Sequence, residues 1–373
     1  MKRLLAFGLA ALCAAPLFAL RPGDPAAPLD GVRMIRGNNL NLAPANDKFT
    51  PAPLRAVVVL LCRAVDSPGT VAMLNDIQRR SRDKIAIEIV TPDAASDARD
   101  LIAATGEHGV AFGLDPDRKL TRKYMEGALL YPMAFLIDRK GTIVWCGEAM
   151  DLAEKIEPAL AGRLVPADER KIFSLVVELQ QLMRDNSDNK MKQVADRIFK
   201  LDPGNASAMR IRLFYLTNTN RADQARELIE EQLKAVPKLS RLYFTAVDFA
   251  AGNNYSNAEL ERLVGAFERN IADPVLQVRM AWMLLDRFPY YPSALRAAAK
   301  ILRKPLPQEP LARANAAAGR ALLEYRLGNL EAAIKFQDEA VQLLNRDGTA
   351  AELESAKARA VFFRAALELG KTH

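Results

Sequence analysis

Residues 131–146 read Tyr131-Pro132-Met133-Ala134-Phe135-Leu136-Ile137-Asp138-Arg139-Lys140-Gly141-Thr142-Ile143-Val144-Trp145-Cys146. Two apolar runs, 134–137 and 142–145, flank a polar turn that closes on Gly141, which predicts a β-hairpin. Toward the N-terminus, Val57, Val58, Val59, Leu60 and Leu61 form a continuous apolar run, as expected of a strand buried on both faces. Asp66, Ser67, Pro68 and Gly69 then make a turn, followed by a helical pattern with Val71, Leu74 and Ile77 on one face. A strand is expected over 85–90, a helix over 97–105 stopped by Gly106, and a short strand at 32–35 within an otherwise irregular lead-in. Beyond the hairpin, 151–161 reads as a closing helix. Strands alternating with helices and ending in a hairpin predict an α/β sandwich over residues 20–162.

From about residue 167 the texture is helical only. Amphipathic segments are separated by brief breaks at 202–205, 236–237, 273–274, 289–292, 305–310, 328–329 and 347–348. Such an array buries its apolar faces only by stacking neighbouring helix pairs. The second unit is therefore expected to be all-α over 168–373, joined by a short link at 163–167.

The chain has 373 residues, half of them hydrophobic and 26% charged, which is ordinary globular composition. Residues 1–19 begin with Lys2 and Arg3, continue as an apolar run and end in small residues, the layout of an export signal cleaved after Ala19. Retention as a membrane anchor is the alternative. Cys13 follows Leu12, where lipid attachment requires a small residue. Export places the protein in the periplasm or outside the cell, and removing the signal lowers the formal charge from +7 to +5. No dense basic stripe with interleaved aromatics supports nucleic-acid binding, and no later stretch is long enough to span a bilayer. Only Cys62 and Cys146 survive export. They form no CxxC pair, and with His108 and His373 as the only histidines no metal site or other cofactor is expected.

Two resemblances follow. Tyr325-Arg326-Leu327-Gly328-Asn329-Leu330-Glu331-Ala332-Ala333-Ile334-Lys335-Phe336, continuing through Ala340, resembles the tetratricopeptide pattern. The resemblance implies a tight turn at Gly328, close helix approach at Ala333 and Ala340, and a seam filled by Leu330 and Phe336. Leu201 to Ala206 and Arg221 to Arg226 echo it, and a generic α-solenoid is the alternative. Residues 22–162 resemble the redoxin, or TlpA-like, branch of the thioredoxin superfamily. The resemblance is carried by Gly23 to Leu29, by Leu114-Asp115-Pro116-Asp117, and above all by Tyr131-Pro132 entering the hairpin. It implies a thioredoxin-like sandwich with Pro132 as the cis-proline facing the redox site.

In active relatives, the turn after the central strand carries two cysteines at a helix N-terminus, where unpaired N–H groups and the helix dipole favour a thiolate. Here Asp66 stands in place of the nucleophile and Gly69 in place of the resolving thiol. Asp66 reads as a helix cap and Pro68 as a first-turn residue; a general acid-base role for Asp66 has no local partner. Tyr131 is expected to fill the vacated cleft or to stack on a bound peptide. Cys62 and Cys146 lie on strands separated by a third, too far for a bridge, although an exposed Cys146 would be able to pair with another chain. The sequence thus predicts an exported, redox-inactive module that binds a protein or peptide through its repeats. The alternative is a thiol-disulfide oxidoreductase or peroxidase using Cys62 or Cys146.

Overall fold

The computed structural model describes residues 20–42, 54–60, 68–81, 84–105, 109–125, 132–305, 308–348 and 350–371. Six strands form one sheet: β1 (Arg33–Arg36), β2 (Leu54–Leu60), β3 (Ala86–Thr91), β4 (Ala111–Leu114), β5 (Met133–Asp138) and β6 (Ile143–Glu148). Their spatial order is β1-β4-β3-β2-β5-β6. The β2–β3 and β3–β4 pairs are parallel, and the β1–β4, β2–β5 and β5–β6 pairs antiparallel. Helices α1 (Pro68–Ser81), α2 (Ala95–Thr105), α3 (Lys119–Met125) and α4 (Leu152–Leu160) complete a thioredoxin-like sandwich.

Strand β5 shows why the run is continuously apolar. Met133, Phe135 and Ile137 face one layer, Ala134 and Leu136 the other, and all five are fully buried. On the second side, Val71, Leu74 and Ile77 of α1 pack with Ala98 and Leu101 of α2 and with Leu152 and Ile156 of α4. On the first side, α3 contributes Leu120 and Tyr124. Tyr124 meets Phe135 edge-on at 4.9 Å and donates to the Ala27 carbonyl at 2.7 Å. Sequence reasoning did not separate β4 and α3, which are only 4 and 7 residues long. Asp115, quoted for the resemblance, bridges them: its Oδ2 accepts from the Thr121 amide and hydroxyl, each at 2.8 Å.

The helical unit comprises α5 (Pro166–Arg184), α6 (Asp188–Leu201), α7 (Ala206–Asn218), α8 (Ala222–Ala235), α9 (Ser240–Gly252), α10 (Asn257–Asn270), α11 (Pro274–Arg287), α12 (Pro292–Leu302), α13 (Pro310–Arg326), α14 (Leu330–Asp347) and α15 (Ala350–Lys371). Every expected break falls between helices. The breaks before α6 and α10 were not read from sequence, whereas Arg221 to Arg226 was read as the start of a second helix; with the break before α8 they share one geometry. Asn186, Asn220 and Asn254 all adopt left-handed φ, between 52° and 58°, and stand 34 residues apart. Asn tolerates this conformation better than other side-chain-bearing residues. After Asn186 and Asn220 the next amide reaches back five residues, Ser187 to Leu182 and Arg221 to Leu216, and Asn329 to Glu324 does the same after Gly328, which sits at φ 82°. This is the six-to-one bond of a Schellman turn. A 34-residue helix-turn-helix period is the tetratricopeptide period. Ala333 and Ala340 are fully buried, as close helix approach requires. Gly204, at φ 83°, leaves no room for a side chain: a Cβ there would lie 2.6 Å from Leu239.

The two units share a core. The largest hydrophobic cluster runs from Val90, Met133, Phe135 and Ile143 of the sheet into Ile172, Phe173, Val176 and Leu179 of α5, then to Met191 of α6 and Ala208 of α7. Helix α5 therefore covers the sheet face that α3 leaves open. Glu88 of β3 is fully buried on this sheet. It accepts from the Leu40 amide at 2.8 Å through Oε2, while Oε1 has no partner.

Replacing Phe173 with Ala should cost about 3–5 kcal/mol, and calorimetry should show sheet and array still unfolding in one transition. Burial raises the Glu88 carboxyl from 4.5 to about 7, against the Leu40 hydrogen bond. The folded state then holds the proton more tightly than the unfolded chain. Its stability contribution is full below the ordinary value and is lost as pH rises through 7. Glu88→Gln should flatten that slope and stabilise the protein at pH 8 by up to about 3 kcal/mol in urea titrations.

Candidate functional site

Helix α1 begins at Pro68, in the turn expected to stand in place of the paired cysteines. Gly69 is exposed, with open space around a built Cβ. Pro132 is half-buried at the entry to β5, and its carbonyl accepts the Ala149 amide at 2.8 Å. Asp66, Ser67, Cys62, Tyr131 and His108 lie outside the described residues. Cys146 is a free, buried cysteine on β6, in keeping with a small apolar core residue, and is not exposed for pairing with another chain. Its side chain sits in the core beneath α5 on the same face as Ile143, because the irregularity in β5–β6 pairing at Leu136–Ile137 interrupts the alternation of β6 between residues 143 and 146. Burial pushes its thiol well above the ordinary range, Glu169 and Asp24 reinforce this, and Arg21 and Arg170 oppose it. A thiol held protonated is a poor nucleophile. Strand β5 lies between β2 and β6, the separation expected of the strands leading to Cys62 and bearing Cys146. No cluster of His, Cys, Asp and Glu suited to a metal occurs among the described residues.

The richest polar constellation lies elsewhere, where β6 and α4 meet the first helices of the repeat pairs. Asp151, in the turn before α4, accepts from Ser207 at 3.1 Å, from Arg210 of α7 at 3.1 Å and from Arg241 of α9 at 2.9 Å. Arg210 also pairs with Glu148, and Arg241 with Glu154 at 2.9 Å. Lys155 bridges Glu169 of α5 at 3.4 Å and Asp202 at 3.2 Å. Burial raises the carboxyls of Glu148, Glu154 and Glu169, with the arginines and Lys155 opposing. Burial disfavours the Lys155 charge, but Asp202 and Glu169 outweigh it and hold its pKa up. Composition gave no hint of this network, since its members come from four stretches of the chain, 148–155, 169, 202–210 and 241.

Beside the network opens a cleft of about 680 Å³ between α4, α5 and the turns before α7 and α9. Its wall combines Val165 and Leu201, 52% and 37% exposed, with Glu154, Arg163, Lys238 and Arg241. An apolar floor with charges of both signs around it suits an extended peptide better than a small anion or cation.

Asp151 is largely buried, and its loss would leave Arg210 and Arg241 under-paired. Asp151→Ala should destabilise the protein by about 2–4 kcal/mol. Hydrogen exchange should quicken first in α7 and α9, while α12 stays protected.

No protein-family model matches this chain, and no curated protein matches it. Among solved structures it is similar to a DsbE-type thiol:disulfide interchange protein of Chlorobium tepidum, at 21% identity over 38% of this chain and 99% of that one, TM-score 0.29. It is also similar to a disulfide-isomerase-type protein of Bacteroides thetaiotaomicron, at 20% identity over 38% of this chain and 91% of that one, TM-score 0.29. A third is yeast Tom70, at 14% identity over 60% of this chain, TM-score 0.32; the chain spans 51% of Tom70's length. Strand order and the 34-residue turn period define the two halves without them: a thioredoxin-like sandwich joined to a tetratricopeptide-like array.

Proposed function

We propose that this protein is an exported, redox-inactive module that holds a protein or peptide partner through its helical repeats, with the thioredoxin-like half as a docking scaffold. The single observation that carries this reading is the fate of the thiols. The turn that serves catalysis in relatives carries Asp66 and Gly69 in place of cysteines, and Cys146 is buried with its proton held on. A thioredoxin-like fold without its site does not carry the activity. What supports the binding half is the array itself, since stacked helix pairs present extended surfaces for peptides and partner helices. The cleft beside α4 and α5 adds a peptide-sized recess on the same side. The layout of residues 1–19 supports export to the periplasm or beyond. No helix among the described residues is long and apolar enough to cross a membrane.

The array cannot be cut away as a test, because α5 belongs to the sheet's core. Point changes serve instead. Purified protein should reduce insulin and consume peroxide no faster than a Cys62→Ser, Cys146→Ser double variant; turnover lost in that variant would restore the oxidoreductase reading. Affinity capture from the native envelope should recover a partner that Val165→Asp with Leu201→Asp releases. Recovery unaffected by the pair moves the binding surface away from the cleft.

A further inference from the structure

Helix α15 has two apolar faces. Ala356, Ala360 and Phe363 are buried against α13 and α14, and Phe363 stacks on Tyr325 with ring centres 5.0 Å apart. On the other side Ala358, Phe362, Ala365 and Leu369 are all exposed. They follow one another at spacings of four, three and four, the alternation of a helix–helix seam. Phe362 is 53% exposed, Leu369 66%, and Val361 beside them 65%. Earlier in the array the first helix of each pair meets the first helix of the next, α5 on α7, α7 on α9, α9 on α11 and α11 on α13. Helix α15 packs along α14, reaches α13 through Phe362 and Phe363 on Tyr325, and turns a further apolar face to solvent.

We infer that α15 pairs with α15 of a second copy of this chain, antiparallel about a twofold axis. Self-complementarity of size is the first reason. The antiparallel alignment that sets Phe362 opposite Ala365 of the second copy also sets Leu369 opposite Ala358, and symmetry repeats both contacts. Each large side chain meets a small one. A parallel pairing would set Phe362 on Phe362 and Leu369 on Leu369, with alanines facing alanines between them. Charge is the second reason. On the flank that carries Val361, Lys357 lies toward the N-terminal end and Glu368 toward the C-terminal end. The antiparallel alignment brings Lys357 within two residues of register, about 3 Å of helix rise, of Glu368 on the second copy. A parallel one turns this flank toward the opposite flank of the second copy, so that Lys357 and Glu368 do not meet. Lys357 already pairs with Glu354 of its own chain at 2.7 Å, on an exposed site where a second acid adds rather than competes. One helix pair buries less than the roughly 1,200 Å² of a standard interface, so the association is reversible and concentration-dependent.

Sedimentation velocity on the chain from residue 20 should show the mass rising from one chain to two across the micromolar range. Phe362→Asp should weaken the dimer at least about tenfold, with helical content kept although its edge-on contact with Tyr325 at 5.4 Å is lost. Lys357→Glu and Glu368→Lys should each weaken it, and together restore it. Register has its own readout, independent of how the aspartate variant folds. In a Cys62→Ser background, copies carrying Ala358→Cys should cross-link with copies carrying Leu369→Cys, and neither variant with itself. A monomer throughout, a dimer indifferent to Phe362→Asp, or cross-links within a single variant would overturn the inference.

Discussion

The structure depends on the contact between α5 and the sheet. A six-stranded sheet with apolar side chains on both faces needs two covering layers. Helices α1, α2 and α4 supply one, whereas α3 has only seven residues and covers part of the other. Phe173, Val176 and Leu179 close the remainder, so the first helix of the repeat array is also a layer of the sandwich. One consequence is mechanical. Repeat arrays ordinarily flex as a series of weakly coupled pairs, but here the first pair is fixed to a sheet by shared core packing. A second consequence is chemical: the same helix covers Cys146 and keeps its thiol away from solvent.

Buried apolar contact holds α5 in place without setting a direction for α7 and α9, because hydrophobic packing is not directional. The ion-pair network supplies direction. Asp151 receives donors from two different repeat helices, and Lys155 ties α4 to α5 and to the turn before α7. Networks of this kind contribute little net stability when compared with apolar packing, yet breaking one member leaves charges uncompensated. Their effect is to penalise every orientation but one. The contact between Arg79 of α1 and Glu309 before α13, at 3.4 Å, joins the far part of the array to the same sheet unit. That pair is half-exposed and adds little by itself.

Much of this was legible in the chain. The apolar runs at 134–137 and 142–145 with the glycine-closed turn between them announced the hairpin, and proline and glycine breaks announced most helix ends. The short elements β4 and α3 were not legible, since four and seven residues give no reliable period. The turns at Asn186 and Asn254 were missed for a different reason, and at Asn220 only the helix start that follows it was read. Asparagine is a common polar residue, and only its left-handed backbone, or its 34-residue recurrence, marks it as punctuation. The candidate site divides in the same way. The absence of a CxxC pair is a local fact of the sequence and was readable. The cleft and the Asp151 network join residues from 148 to 241, and no local pattern encodes a meeting of that kind.

The burial of Cys146 and the covering of the sheet by α5 constrain each other. A thioredoxin-like half that performs exchange must present a thiolate at a helix N-terminus and let a partner's disulfide approach it. It gains from a small, independent sandwich with open access. This half is instead built into a larger body, with its second face closed by the array and its junction locked by ion pairs. What such an arrangement gives is a fixed angle between an α/β unit and a row of helix pairs. A fixed angle pre-organises an extended surface and so lowers the ordering cost of any long partner that binds there.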